Sequence, residues 1–412
     1  MALLTQVAKT GQGAMELLRC GLVARLVECQ VFDMVPDSDS HRVFGQRDPS
    51  GFILSPLDRY RQILIPALRL FKVILTSTTT HHQQGAAQVL QWLIVHADTI
   101  QGLLRCQELS MGALQELSLL TGIISKTALP GAVEGQDVNS AVLLEFQGHI
   151  SRFQRQCLSL LGRLAGSERE RLLKQAEIAA PGEHAKRREE MEVAMQQVCA
   201  NIMEYCQNLL LQSSSQAQFS ICLFSPSVNE PASRDCRTDL ALPSAPYSRV
   251  PSLGLLKELC AALVSGTGVE KISSVQRSLL AKRRLVQLIN NRAKLLALCS
   301  YVIETCLFVL WRHLEYYLLY CTPADPKDSL MPGASAYRSC LTDDSFGRAL
   351  GLSRVSQQDL EQLQSDMGAG FGEALQRKLQ EVEGLYSQVR SRSTFIQALV
   401  RRIRGLLRQP KS

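Results

Sequence analysis

Apolar residues recur along this chain at alternating steps of three and four, in stripes too long for strands. Leu143, Phe146, Ile150, Phe153, Cys157, Leu160 and Leu164 form one such row. Met191, Met195, Val198, Ile202, Tyr205 and Leu209 form a second. Leu360, Leu363, Met367, Phe371, Leu375, Leu379, Val382, Tyr386 and Val389 continue the spacing over about eight turns. Steps of three and four place side chains on one helix face, whereas a half-buried strand needs strict alternation, and no such alternation persists anywhere. There is also no Asn-Gly or Asp-Gly hairpin signal. The expected fold class is all-α, without a sheet.

Composition agrees. Hydrophobic residues make up 46% and charged residues 20%, but aromatics only 6%, so good helix formers outnumber good strand formers. A chain of 412 residues can form two or three domains, or one continuous helical array without a single central core. No fixed repeat period is present, so such an array would be an irregular superhelical α-solenoid of antiparallel helices.

Helix ends carry local chemistry. Ser55-Pro56 supplies an N-cap and a first-turn proline, Ser356 and Asp359 have capping-box spacing, and Pro66 should kink the helix that contains it. Four stretches interrupt the helices: Asp33 to Gly51, Ala128 to Asp137, the Ser/Pro-rich Ser213 to Gly254, and Thr322 to Ser353. This organisation predicts a helical segment over 1–254 with a loop near 213–254, and a C-terminal helical tail over 255–412 with a loop near 322–353. The start, Met1 to Thr10, has no charged region followed by an apolar core, so no secretory signal is read there. Leu295 to Trp311 is apolar but short of the ~20 residues that span a bilayer, and it contains Glu304; a buried helix is expected.

No catalytic constellation stands out. HExxH, GxxxxGK[ST], strand-linked GxGxxG and GxSxG are all absent from the sequence. His81 and His82 would point about 100° apart on a helix, with no third ligand spaced nearby. Asp37, Asp39 and His41 begin like a calcium loop, but Arg42 stands where the turn requires glycine. The 13 cysteines include no CxxC pair, and Cys157, Cys199, Cys206, Cys299 and Cys306 sit among apolar neighbours. Cys199/Cys206 and Cys299/Cys306 are each two helical turns apart, about 10 Å, too far for a disulfide or a shared zinc. Buried thiols in a reducing compartment are expected, with no metal and no cofactor.

Charge is concentrated rather than general, since the net +7 is mild for this length. Lys271 to Lys294 holds Lys282, Arg283 and Arg284 with no acid, and Leu279, Leu280, Leu285, Leu288 and Ile289 are interspersed at helical spacing. The closing segment carries Arg401, Arg402 and Arg404 opposite a stripe that includes Phe395, Leu399 and Ile403, and no acid follows Glu383. Such a helix could close the end of an array, dock a partner helix or lie on an anionic membrane. Burying Phe395, Leu399 and Ile403 would contribute roughly 1.5 to 3 kcal/mol each, against about 4 to 15 for associating two chains. A groove shared with Tyr386 and Val389 would roughly double the apolar contact and make docking credible. A basic module that binds nucleic acid or anionic membrane is the alternative reading.

The same residues resemble a known family. LLRCGL at Leu17, VECQVFDM at Val27, DRYRQIL at Asp58, TGIISK at Thr121, GHISRFQRQC at Gly148, CANIMEYCQ at Cys199, RAKLLALCSYVIETCLFVLWRHLEYYLL at Arg292 and STFIQALVRRIRGLLR at Ser393 together resemble the large inner-ring scaffold nucleoporins, the family that includes vertebrate nucleoporin 205 and fungal nucleoporin 192. The resemblance implies the C-terminal part of a longer α-solenoid in the nuclear pore complex of the nuclear envelope, without enzymatic activity, supporting nucleocytoplasmic transport. It implies other nucleoporins as partners, above all a short helical segment of nucleoporin 93 docked at the closing helices. By that resemblance Phe395 is the leading contact. It also implies an apolar helix between PSLG at Pro251 and KELC at Lys257, which here have only Leu255 and Leu256 between them. Exposed apolar faces flanking that junction are the expected consequence.

Overall fold

The structure is a computed structural model, and it describes residues 1–36, 55–78, 82–106, 109–127, 140–165, 169, 171–174, 184–213, 223–224, 251–266, 284–315, 317, 357–370 and 390–407. Among these residues the chain is helical, with no β-strand. The all-α expectation holds. Residues contact one another in two compact units, Met1–Cys157 and Leu158–Ser412.

The first unit begins with three short helices, α1 (Ala2–Val7), α2 (Gly11–Arg19) and α3 (Leu22–Val27), and a 3-10 turn at Gln30–Asp33. Gly21 joins α2 to α3 at φ 69°, a left-handed conformation that glycine adopts without a Cβ clash. Helices α4 (Pro56–Ser77), α5 (His82–Val95), α6 (Ala97–Leu104) and α7 (Met111–Thr127) follow. Ser55 caps α4 as expected: its Oγ accepts from the Asp58 amide at 3.1 Å and donates to the Asp58 carboxylate at 2.7 Å. The helix continues through Pro66 to Ser77.

Two polar clasps set the packing of this unit. Arg61 on α4 donates from Nε to Glu116 on α7 at 2.9 Å, with Nη2 at 3.3 Å from the second oxygen. Glu116 is almost wholly buried, so this pair is a desolvated staple between two helices and not surface decoration. The second clasp fastens the 3-10 turn. The Phe32 carbonyl accepts from Tyr60 Oη at 2.6 Å and Thr99 Oγ1 at 3.3 Å, while His96 Nδ1 lies 2.9 Å from the Asp33 carboxylate. Burial, with Glu116 and Asp33 nearby, pushes the Tyr60 phenol above its usual range and keeps it a donor. Trp92 fills the space beneath, its ring 4.8 Å from Phe71 and 5.3 Å from Phe32.

The second unit is built from longer pieces. Helix α8 (Ser140–Ala165), which belongs to the first unit up to Cys157 and to the second from Leu158, carries the first stripe of the sequence, of which Ile150, Phe153, Cys157, Leu160 and Leu164 are buried. Helix α9 (His184–Ser213) carries the second, with all six named residues from Met191 to Leu209 buried. Helices α10 (Leu253–Gly266), α11 (Arg284–Glu315), α12 (Gln357–Gly370) and α13 (Arg390–Leu407) complete the described elements. Helix α11 is the hub, packing on α9, α10 and α13. Its stretch Ala297–Glu315 has the length and hydropathy of a membrane span, but about two thirds of it is buried against the protein. The third stripe is described only in part: Leu363 and Met367 of α12 are buried, while Phe371 to Val389, like Ser356 and the Asp37–Arg42 segment, lie outside the described residues.

The thiols follow the sequence expectation where they are described. Cys199, Cys206, Cys260, Cys299 and Cys306 are all buried on α9, α10 and α11, and Cys306 lies against Cys260. Burial pushes the Cys199 and Cys299 thiols up to about 12, so neither ionises near neutral pH. At the junction after Gly254 the apolar side chains expected to be exposed are covered where they are described. Leu253, Leu255, Leu256, Leu259 and Cys260 of α10 are all buried.

Candidate partner-docking site

The closing helix, α13, places its residues on two faces. Leu399 and Ile403, one turn apart, are 2% and 0% exposed, on a helix that packs on α11 and α12. Their apolar surface thus holds the helix to its own chain. The Gln364 side chain of α12 donates to the Leu407 carbonyl at 3.3 Å, satisfying one of the carbonyls left open at the helix end. Val400, Leu406 and Leu407 are half-buried, and Arg401 and Arg402 are exposed.

Between α13 and the end of α11 lies an open groove of about 480 Å³, lined by Trp311, Glu315, Arg402, Gly405 and Leu406. The Arg402 guanidinium sits 4.7 Å from the centroid of the Trp311 ring, and Arg312 lies 5.7 Å from the same ring. Both contacts are cation–π, worth ~0.5 to 1 kcal/mol each at a partly exposed site. Phe308 braces the indole edge-on at 6.0 Å. Glu315 is paired with Arg312 at 3.1 Å, so the groove's acid is neutralised by its neighbour. Arg401, Arg402 and Arg404 leave the surface positive, and an added Cβ at Gly405 would meet nothing within 4 Å. An apolar floor under a basic rim can take an amphipathic segment whose polar edge is acidic.

The residues singled out from sequence are distributed unevenly around this groove. Arg402 lines it, with Arg401 and Arg404 on the same helix; Leu399 and Ile403 face inward. Phe395 belongs to α13, but its side chain is outside the described residues, as is that of Arg284 at the start of α11. Tyr386, Val389, Lys282 and Arg283 lie outside them too, as does His81. Trp311, Glu315 and Leu406 were not selected from sequence. Trp311 follows an apolar run and precedes Arg312, and an indole beside a cation was the available signal.

The class defined by these features is an all-α protein of packed helices with an open, basic end surface. A model of the family described as nuclear pore complex scaffold, nucleoporins 186/192/205, matches residues 1–128. Over 99% of its length the chain is 53% identical to nuclear pore complex protein Nup205 of Homo sapiens, and over 99% it is 25% identical to nuclear pore complex protein Nup205 of Drosophila melanogaster. It spans 22% and 20% of those relatives. The chain belongs to this scaffold nucleoporin family.

Proposed function

We propose that this chain is a structural segment of the nuclear pore complex, resident at the nuclear envelope and without enzymatic activity, whose closing groove docks a short helix of nucleoporin 93. Its contribution to transport is then mechanical: it helps hold the pore in which other nucleoporins assemble. The similarity to nuclear pore proteins supports the setting. The single observation that supports docking at this place is the half-buried Trp311 under Arg402, bordered by Leu406 on a helix that also carries Arg401 and Arg404.

The physical division of labour differs from one based on the α13 stripe alone. Leu399 and Ile403 anchor the receptor's own helix, and the partner contacts Trp311, Arg402, Leu406 and, by family resemblance, Phe395, with Tyr386 and Val389 added from the apolar pattern of the sequence. Truncating Ile403 would therefore damage the receptor before it informed on binding.

Calorimetric titration of the whole chain with a helical nucleoporin 93 peptide tests the reading. Arg402→Ala with Leu406→Ala should weaken binding by about tenfold or more, equal to ~1.4 kcal/mol. Unchanged affinity removes the groove from the site. Affinity for nucleic acid or anionic vesicles that collapses with salt and ignores Leu406→Ala would replace protein docking with the electrostatic alternative.

A further inference from the structure

A second binding feature lies at the C-terminal end of α11, independent of the groove above. His313 and Tyr317 are buried there, and they hold two residues from the Ser/Pro-rich stretch some ninety positions earlier, Leu223 and Phe224. The His313 ring is oriented by its own helix: Nδ1 lies 2.8 Å from the Val309 carbonyl and donates to it. That assignment leaves Nε2 as an acceptor. It accepts from the Leu223 amide at 2.9 Å and from the Phe224 amide at 3.3 Å. Tyr317 Oη donates to the Phe224 carbonyl at 2.7 Å.

Three backbone groups of one dipeptide are therefore read by two distant side chains, His313 near the end of α11 and Tyr317 just beyond it. Buried backbone groups are ordinarily paired within helices, sheets or turns, so this arrangement is unusual for a connecting segment. The dipeptide side chains are read as well: Leu223 and Phe224 are 1% and 0% exposed, and the Phe224 ring meets His313 edge-on at 5.5 Å. Main-chain hydrogen bonds for affinity, with side chains in a buried pocket for selectivity, is how domains recognise linear peptides. The charge next to the ring is Arg312, which is occupied by Glu315.

We propose that this end of α11 is a peptide-binding clamp for an aliphatic-aromatic dipeptide, occupied in this chain by its own Leu223–Phe224. Tethering makes binding of the internal ligand intramolecular, so a free peptide of equal affinity competes only when its concentration approaches the effective concentration of the tethered one. The same pocket accepts a segment of this chemistry in trans once the internal one is withdrawn.

The test uses the full chain and a fluorescein-labelled peptide of residues 219–228 with Cys222→Ser. Emptying the clamp by Leu223→Ser with Phe224→Ser should raise affinity for the peptide at least about tenfold over the wild-type chain, and adding Tyr317→Phe should reverse most of that gain. Equal binding to the wild-type and emptied chains overturns the proposal. Hydrogen exchange decides the matter if the emptied chain does not fold. In the wild-type chain the amides of Leu223 and Phe224 should be protected about a hundredfold or more, with protection falling several-fold in Tyr317→Phe. Exchange of those amides at the free-peptide rate in the wild-type chain overturns the clamp.

Discussion

The two units solve helix packing in different ways. In Met1–Cys157 the helices before α4 span only 6, 9 and 6 residues, too short for any one to bury a long apolar row. Polar clasps add specificity: Tyr60, His96 and Thr99 hold the Phe32–Asp33 turn that follows the short helices, and Arg61 with Glu116 joins α4 to α7. In Leu158–Ser412, α9 and α11 run for 30 and 32 residues and meet along a seam of aliphatic side chains and thiols. A long seam sets its own register through many small contacts, whereas short helices depend on a few directional bonds. Polar bonds occur in the second unit as well, Arg169 with Glu192 of α9 and Tyr301 of α11 donating to Gln207 of α9 at 3.2 Å, while His313 and Tyr317 fasten a connecting segment rather than two helices.

Thiol chemistry should show the contrast most strongly. At mildly alkaline pH, Cys199 and Cys299 should react with a disulfide reagent on the order of a thousandfold more slowly than an ordinary thiol, because the thiolate is suppressed and access is closed. Exposed Cys20 should react in the first phase. Mass-spectrometric mapping of labelled cysteines checks this, and early labelling of Cys199 would mean that the α9–α11 seam opens.

Breaking a clasp should cost more than thinning the seam. Arg61→Ala leaves Glu116 buried and unpaired, with an expected loss of about 3 to 5 kcal/mol in urea unfolding. Replacing both partners, Arg61→Met with Glu116→Leu, should recover most of it. A double variant as weak as the single one would show that the packing around Arg61, not its charge, matters.

The clamp in the second unit should respond to acid. Burial, above all, lowers His313 to about 4 from an ordinary 6.5, with the neighbouring Arg312 acting the same way and the hydrogen bond to Val309 opposing it. The unfolded chain binds the proton more readily. Stability from this group is therefore full above pH 6.5 and is lost as pH falls through 4, about 3 kcal/mol in all. Unfolding monitored between pH 7 and 4 should show a decline that is absent in His313→Gln. The smallest effect is local: Ser55→Ala should cost about 1 kcal/mol by removing the cap of α4.

Much of the fold was legible because helix periodicity is a local property. The rows from Ile150 to Leu164 and from Met191 to Leu209 are buried where they are described, and the Ser55 cap forms. Partnership was less legible. A basic row with Leu399 and Ile403 opposite reads equally as a surface for another protein or as the seam that closes the chain's own end, because a stripe specifies a buried face and not what covers it. The Leu223–Phe224 anchor was hidden for a related reason. A two-residue apolar pair in a Ser/Pro-rich stretch has no periodicity, and its partners lie about ninety residues away.

By itself, then, the amino-acid sequence determined that the chain is helical, which faces are apolar, where the thiols sit among them and which family they resemble. Tertiary structure alone decided that Leu399 and Ile403 face inward, that Arg402 covers Trp311, and that a neutral His313 receives a distant dipeptide. The physical reason is one of range. Propensity, capping and periodicity act within a few turns, while desolvated pairs and pockets depend on which of several apolar faces reach one another when the chain packs.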